Sequence, residues 1–402
     1  MRIFHYLMVA FALTVIVHFL KSLYDISCCD YINIYDQFII NYCGGYVRRG
    51  LIGSLAYELC SLTGAYPQAV LAPIIAISAV ITALFFIYKF RRRRLCWYVL
   101  PLTIFLGLLY INTFDYLIIS LFILSLYAYT HLRKPLVRTL AVSAITLVAM
   151  NVHETYLFYG VPVMLLCMFN DKKQALRHTL IYAGIALAAT ALVTVFHGDK
   201  HTAAAIILSW GKYIDPSAPI IAVDALGWDT SGTFLRHLYV NTLDSSFGLR
   251  GWYVRPFVYL LIYYVMTNVI FVFKRQDADL TETDRLNISC LLAFQFLFML
   301  PLFTFLSCDA GRIVTYWTQS SYAVFLCIDR HQLKTWFPEK LSAPINRFNQ
   351  VLVKAIPPKK AVIALLLLIV TITPVGFCVD VALKRSVIGH FVYPVFTLIA
   401  NL

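Results

Sequence analysis

The chain has 402 residues, of which 60% are hydrophobic, 15% aromatic and only 13% charged, with a mean hydropathy of +0.76. Soluble domains carry about 25% charged residues, so the composition excludes an ordinary water-soluble enzyme and predicts an all-α, polytopic membrane protein. The net charge of +13 would suit nucleic acid. The basic residues, however, sit in short stretches beside apolar runs, the positive-inside pattern, so no nucleic-acid partner is expected.

In chain order, the first apolar run covers about 3–23 and reads as an uncleaved first span, because no small-x-small cleavage site follows it. A polar loop at about 24–66 comes next, and its second half, LIGSLAYELCSLTGA, predicts a short interfacial or half-buried helix. Further spans are expected at about 67–90, 95–111 and 116–131. The run 139–169 is too long for one span of about 20 residues and is interrupted by Asn151, His153 and Glu154, which predicts two shorter helices meeting near 151–155. A span at about 177–196 precedes a polar, aromatic outer loop at about 197–253, and spans at about 254–273, 286–307, 313–328 and 361–380 follow. A basic segment with Pro357-Pro358 separates the last two.

The whole chain, 1–402, thus reads as a single transmembrane domain of about eleven spans, each needing about 20 apolar residues. With the N-terminus in the cytoplasm, roughly two thirds of the 33 basic residues fall inside and roughly two thirds of the 20 acids fall outside. No Walker A pattern and no G-x-G-x-x-G occurs, so ATP hydrolysis is not expected and no cofactor is implied. The Arg91-Arg92-Arg93-Arg94 run reads as a topology anchor. Cys43 and either Cys28 or Cys29 would share the outer side, as a disulfide or as free thiols.

The chemically poised residues gather on the predicted outer side. Asp25, Asp30 and Asp36 follow the first span, and Gly44-Gly45-Tyr46-Val47-Arg48-Arg49-Gly50 follows them. Paired arginines recognise phosphate through bidentate hydrogen bonds, and a helix beginning near Leu51 would add its N-terminal dipole. Outer loops are not where topology puts arginines, which favours phosphate binding over a plain turn touching lipid headgroups. His153-Glu154 is either a functional pair at membrane depth or a hydrogen-bonded pair capping the helix after it. Asp309-Ala310-Gly311-Arg312 is spaced for an internal Asp–Arg ion pair or for a phosphate-binding Arg312 oriented by Asp309. His197 and His201 are four apart, but Gly198-Asp199 between them favours a loop, and no third metal ligand is evident.

These features resemble the membrane glycosyltransferases that use lipid-linked sugars (the GT-C class). The layout with one large outer loop also resembles bacterial O-antigen polymerases. The GGYVRRGLIG stretch is similar to a segment of bacterial surface-polysaccharide membrane proteins. The resemblance implies transfer of a sugar or oligosaccharide from a polyprenyl-(pyro)phosphate carrier to a cell-surface glycan, at the periplasmic face of the bacterial inner membrane. It implies membrane lipid, a lipid-linked glycan and polysaccharide-assembly proteins as partners. Residue by residue, it makes Asp36 or Asp30 the catalytic acid of the first loop, and Arg48, Arg49 and Arg312 the phosphate ligands. Glu154, with His153 assisting, is the alternative base. The tight Asp-Asp or Glu-x-Asp pair common in the class is missing, which leaves divalent-metal dependence open. Two other classes compete: a polysaccharide-precursor transporter or flippase, and a membrane acyltransferase that modifies surface sugars.

Overall fold

The computed structural model describes residues 37–96, 114–170, 175–214, 220–242, 255–307 and 310–372, with four isolated positions before residue 21. Among these the chain is helical throughout, with no β-strand beyond an isolated antiparallel bridge between Leu95 and Lys274. Four helices are long and apolar enough to cross a membrane: 67–92, 135–152, 176–195 and 282–306. Three shorter apolar helices, 115–131, 156–169 and 256–272, accompany them. The protein is therefore an all-α chain of membrane-embedded type. The expected spans at about 95–111 and, apart from those isolated positions, about 3–23 lie outside the described residues.

The chain divides into two compact units, the first built from 21–83 and 110–233 and the second from 1–20, 84–109 and 234–402. In the first unit, α1 (Gly50–Thr63) follows the glycine–arginine loop and α2 (Pro67–Arg92), whose residues from 84 onward belong to the second unit, begins on its proline. Proline is favoured there because the first helical N–H has no intrahelical partner to lose. Next come α3 (Asp115–His131), α4 (Pro135–Val152), α5 (Tyr156–Phe169) and α6 (Ala175–Val195), which pack on one another. The long apolar run does split, between Val152 and Tyr156. His153 is extended (φ −163°, ψ 126°), and its Nδ1 accepts the Thr155 amide at 3.2 Å, satisfying one of the orphan donors at the start of α5. At 18 and 14 residues, α4 and α5 are about 27 Å and 21 Å long.

Polar pairs stitch these apolar helices together: Ser125 Oγ with Tyr156 Oη at 3.0 Å, Thr146 Oγ1 with Tyr182 Oη at 3.0 Å, and Thr139 Oγ1 with His178 Nδ1 at 3.0 Å. Small hydroxyls bridging helices are a recurrent adhesive where neighbouring surfaces are equally apolar. The part of the expected 197–253 loop that is described is largely helical. α7 (Lys200–Ser209) is capped by Asp199, whose carboxylate accepts the Thr202 amide at 2.7 Å, and α8 (Thr230–Thr242) follows a short turn at 221–227. Trp210, fully buried, donates from Nε1 to the Ile39 carbonyl at 2.8 Å and ties this segment to the first loop.

In the second unit, α9 (Arg255–Val272), α10 (Glu282–Pro301) and α11 (Ala310–Cys327) form the core, with a π-type turn, Leu302–Leu306, at the end of α10. Thr281 and Asp284 make a reciprocal capping box at the start of α10. The basic segment expected as a connection is itself two helices, α12 (Arg330–Trp336) and α13 (Glu339–Ala355), before α14 (Lys360–Ile372). Asp329 caps α12 by accepting the His331 amide at 2.8 Å. Trp317 Nε1 donates to the Leu292 carbonyl at 2.7 Å, and Tyr322 Oη to the Met266 carbonyl at 2.7 Å.

Candidate functional site

The first unit gathers four separate stretches at one end of its helices. Phe38 packs on Phe114 (ring centroids 4.2 Å apart), and Phe114 meets the His153 ring edge-on at 6.2 Å. Arg48 donates its backbone amide to the Phe196 carbonyl at 2.9 Å, which brings the end of α6 to the same place. Asp115, buried, begins α3 here.

The glycines of the first loop act through close packing. A Cβ on Gly53 would stand 2.0 Å from the Ile40 carbonyl oxygen, and one on Gly50 would stand 2.3 Å from the Tyr42 ring. Residues 38–42 therefore lie directly across α1, and the backbone those glycines admit is the chain's own. Gly45 is different: its φ of +100° is a turn that side chains resist, with open space around the missing Cβ. The turn stacks Tyr42 on Tyr46 at 5.3 Å, and Tyr46 meets Phe196 edge-on. Tyr46 donates its hydroxyl proton to Asn151 Oδ1. Burial, with Tyr46 adding to it, pushes the Tyr42 hydroxyl up to about 12.

Arg49 is held at φ 65°, ψ 0°, the left-handed region, immediately before α1. That backbone costs a non-glycine residue about 1–2 kcal/mol. It aims the guanidinium at the turn between α4 and α5, where Nε donates to Glu154 Oε2 at 2.8 Å and an Nη donates to Oε1. The two residues lie 105 positions apart in sequence, and the pair is the planar, bidentate fork that arginine favours with a carboxylate. Arg48 makes a longer ion contact, Nη1 to Glu154 Oε1 at 3.6 Å, and its buried Nε has no hydrogen-bond partner among the described residues. Burial would raise the Glu154 carboxyl, but the charges of Arg49 and His153, the Arg49 hydrogen bonds and, behind them, Arg48 hold it well below the usual range. Burial also pulls the Arg48 guanidinium down, which the Glu154 charge opposes. Two guanidinium groups, those of Arg48 and Arg49, thus face the Glu154 carboxylate.

The sequence-predicted Arg48, Arg49, His153 and Glu154 thus meet in one place. His153 caps the start of α5 by accepting the Thr155 amide, as one of its two expected readings had it, but its Nδ1 stands 3.7 Å from Glu154 Oε2, beyond the hydrogen bond expected between the two. Tyr46 and Asn151 belong to the same cluster, and Asn151 was visible beforehand only as an interruption of an apolar run. Asp30, Asp36 and Asp309, and Cys28 and Cys29, lie outside the described residues. Arg312 belongs to the second unit, where it is buried near the start of α11 with an Nη 3.4 Å from Tyr316 Oη. His197 precedes α7 and His201 is in its first turn, so they do not share a helix. Among the described residues no three His, Cys, Asp or Glu side chains group as metal ligands. Compared with known proteins, the chain matches no family model, no curated protein and no solved structure.

Proposed function

We propose that this chain is a membrane glycosyltransferase of about eleven spans, each about 20 residues, with its N-terminus in the cytoplasm of a bacterium and its site at the periplasmic face of the inner membrane. Its donor is a sugar or oligosaccharide on a polyprenyl-(pyro)phosphate carrier, and its acceptor is a cell-surface glycan. The supporting observation is the Arg48–Arg49–Glu154 cluster. It sets the Arg48 and Arg49 guanidiniums against Glu154, its buried Arg48 Nε has no hydrogen-bond partner among the described residues, and it sits at the turn between the apolar helices α4 and α5.

In this reading Glu154 is a positioning residue, since a carboxylate gripped by Arg49 and held far below neutrality is a weak proton acceptor. It fixes the Arg49 fork and leaves Arg48 to meet the carrier phosphate. A guanidinium placed there stabilises the negative charge that grows on the departing phosphate as the glycosidic bond breaks. The stacked Tyr42 and Tyr46 rings give the sugar a flat apolar neighbour. The acceptor hydroxyl must lose its proton as the new bond forms, and that base is assigned to Asp36 (or Asp30) from the first-loop acids.

The test is transfer from a polyprenyl-pyrophosphate-linked glycan by purified protein, with mass analysis of the product. Arg48→Ala and Asp36→Asn should abolish transfer while the proteins still insert and fold. Full transfer by both variants overturns the proposal, and an acyl group in place of a sugar on the product assigns the chain to the acyltransferases instead.

A further inference from the structure

We propose that the second unit carries a separate binding site for a phosphate-bearing anion, in a cavity of about 340 Å3 lined by Lys89, Arg92, Arg93, Asp329 and Arg330 and by the end of α11. The site shares no residue with the Arg48–Arg49–Glu154 cluster and is independent of it. The volume falls in the range of about 300–1,000 Å3 usual for small-molecule sites.

The charge balance of the lining favours an anion. Four cationic side chains face one carboxylate, that of Asp329. The Asp329 carboxylate is already engaged in capping α12 through the His331 amide. Arg330 is compensated from outside the cavity, by Asp279 at 2.8 Å and by Asp284 at 3.8 Å. Lys89, Arg92 and Arg93 have no ion pair with a carboxylate among the described residues. Three uncompensated cations around a concave space form an anion site, and planar guanidinium forks suit phosphate in particular.

The backbone builds this arrangement deliberately. α2 ends by a tight turn in which Leu95 N donates to the Phe90 carbonyl at 3.0 Å and Arg94 takes φ 53°. A glycine usually holds that left-handed position at a helix end. Arg94 is fastened there by its carbonyl, which accepts the Arg275 amide at 3.3 Å, and by its guanidinium, 3.3 Å from an Asp277 carboxylate oxygen. The fastening terminates α2 so that Lys89, Arg92 and Arg93 project from its last turn toward the loop between α11 and α12. Lys89 stands over the Phe85 ring at 5.7 Å and Arg93 over Phe325 at 5.7 Å, which limits where both charges can go.

A phosphate can arrive as a lipid headgroup or as a free anion, and basic pockets between spanning helices are known to take headgroups. The experiment therefore has two arms on the full-length protein. Native mass spectrometry after extraction compares retention of phosphatidylglycerol with that of phosphatidylcholine. Calorimetry with inorganic phosphate and pyrophosphate is run on protein held in phosphatidylcholine nanodiscs. The variants are the double Arg92→Gln, Arg93→Gln, and Arg91→Gln, which removes a neighbouring charge that does not line the cavity. The cavity variant should weaken binding about five-fold per charge removed, while Arg91→Gln keeps wild-type affinity and both retain wild-type melting. Selective phosphatidylglycerol retention identifies the lipid, and binding of the soluble anions alone identifies the free phosphate. Equal losses in the two variants, or no binding in either arm, would overturn the proposal.

Discussion

The Arg49–Glu154 pair lends itself to a thermodynamic cycle with an internal control. Both side chains are about one-fifth exposed (20% and 21%). Removing one member of a fully buried pair costs about 3–5 kcal/mol, and partial exposure lowers the expectation for Arg49→Ala to about 2–3 kcal/mol. Arg49→Gly removes the same guanidinium but also relieves the left-handed backbone at φ 65°. It should therefore be about 1 kcal/mol more stable than Arg49→Ala. Combining Arg49→Ala with Glu154→Gln should reveal a coupling of about 1–2 kcal/mol, since each single variant strands a partner that the double variant does not. Reversible unfolding in mixed detergent micelles, followed by tryptophan fluorescence, measures all five proteins. Equal stabilities for Arg49→Ala and Arg49→Gly would show that the strain is not real. A coupling under about 0.3 kcal/mol, within the usual scatter of independent sites, would refute the pairing.

The same pair sets a pH dependence. Glu154 is lowered in the folded state from an ordinary 4.5. Its contribution is thus complete above about pH 4.5 and is lost as the pH falls through the depressed folded value. The stability gap between wild type and Glu154→Gln should stay flat from pH 8 to about pH 5 and close in stronger acid; a gap that narrows near neutrality contradicts the assignment. Gly53→Ala pushes a methyl to within 2.0 Å of the Ile40 carbonyl oxygen. It should cost at least about 2–3 kcal/mol, at the top of the usual range for point variants, and a neutral result in a melting assay would mean that residues 38–42 do not cross α1 as described. Tyr46→Phe keeps the stack on Tyr42 but loses the hydrogen bond to Asn151, an expected loss of about 0.5–1.5 kcal/mol. Asn151→Ala should cost a similar amount, and adding it to Tyr46→Phe should cost little more.

Much of the architecture was legible in the residues because it depends on local composition. Runs of about 20 apolar residues must satisfy their own backbone and so become helices. The overlong run 139–169 carries Asn151, His153 and Glu154 near its middle, and the structure breaks it there. The stretch after Arg49 was expected as a short helix and is one. Reading by composition failed where helices are polar. α7, α8, α12 and α13 look like loop or basic linker in a hydropathy scan, yet Asp199 and Asp329 cap two of them and packing completes the rest.

The chain by itself determined that the protein is helical and apolar enough for a membrane, and which of its arginines stood in unexpected places. Only the tertiary structure decided what those arginines face. Arg49 and Glu154 are separated by 105 residues, and no periodicity connects them; their meeting depends on α1 lying against α4 and on a left-handed residue that no local preference selects. Likewise Arg91–Arg94 reads in sequence as a topology anchor. The turn at Arg94 and the approach of the α11–α12 loop make three of its neighbours into a cavity, because the placement of charge around a concave space follows from how distant segments pack.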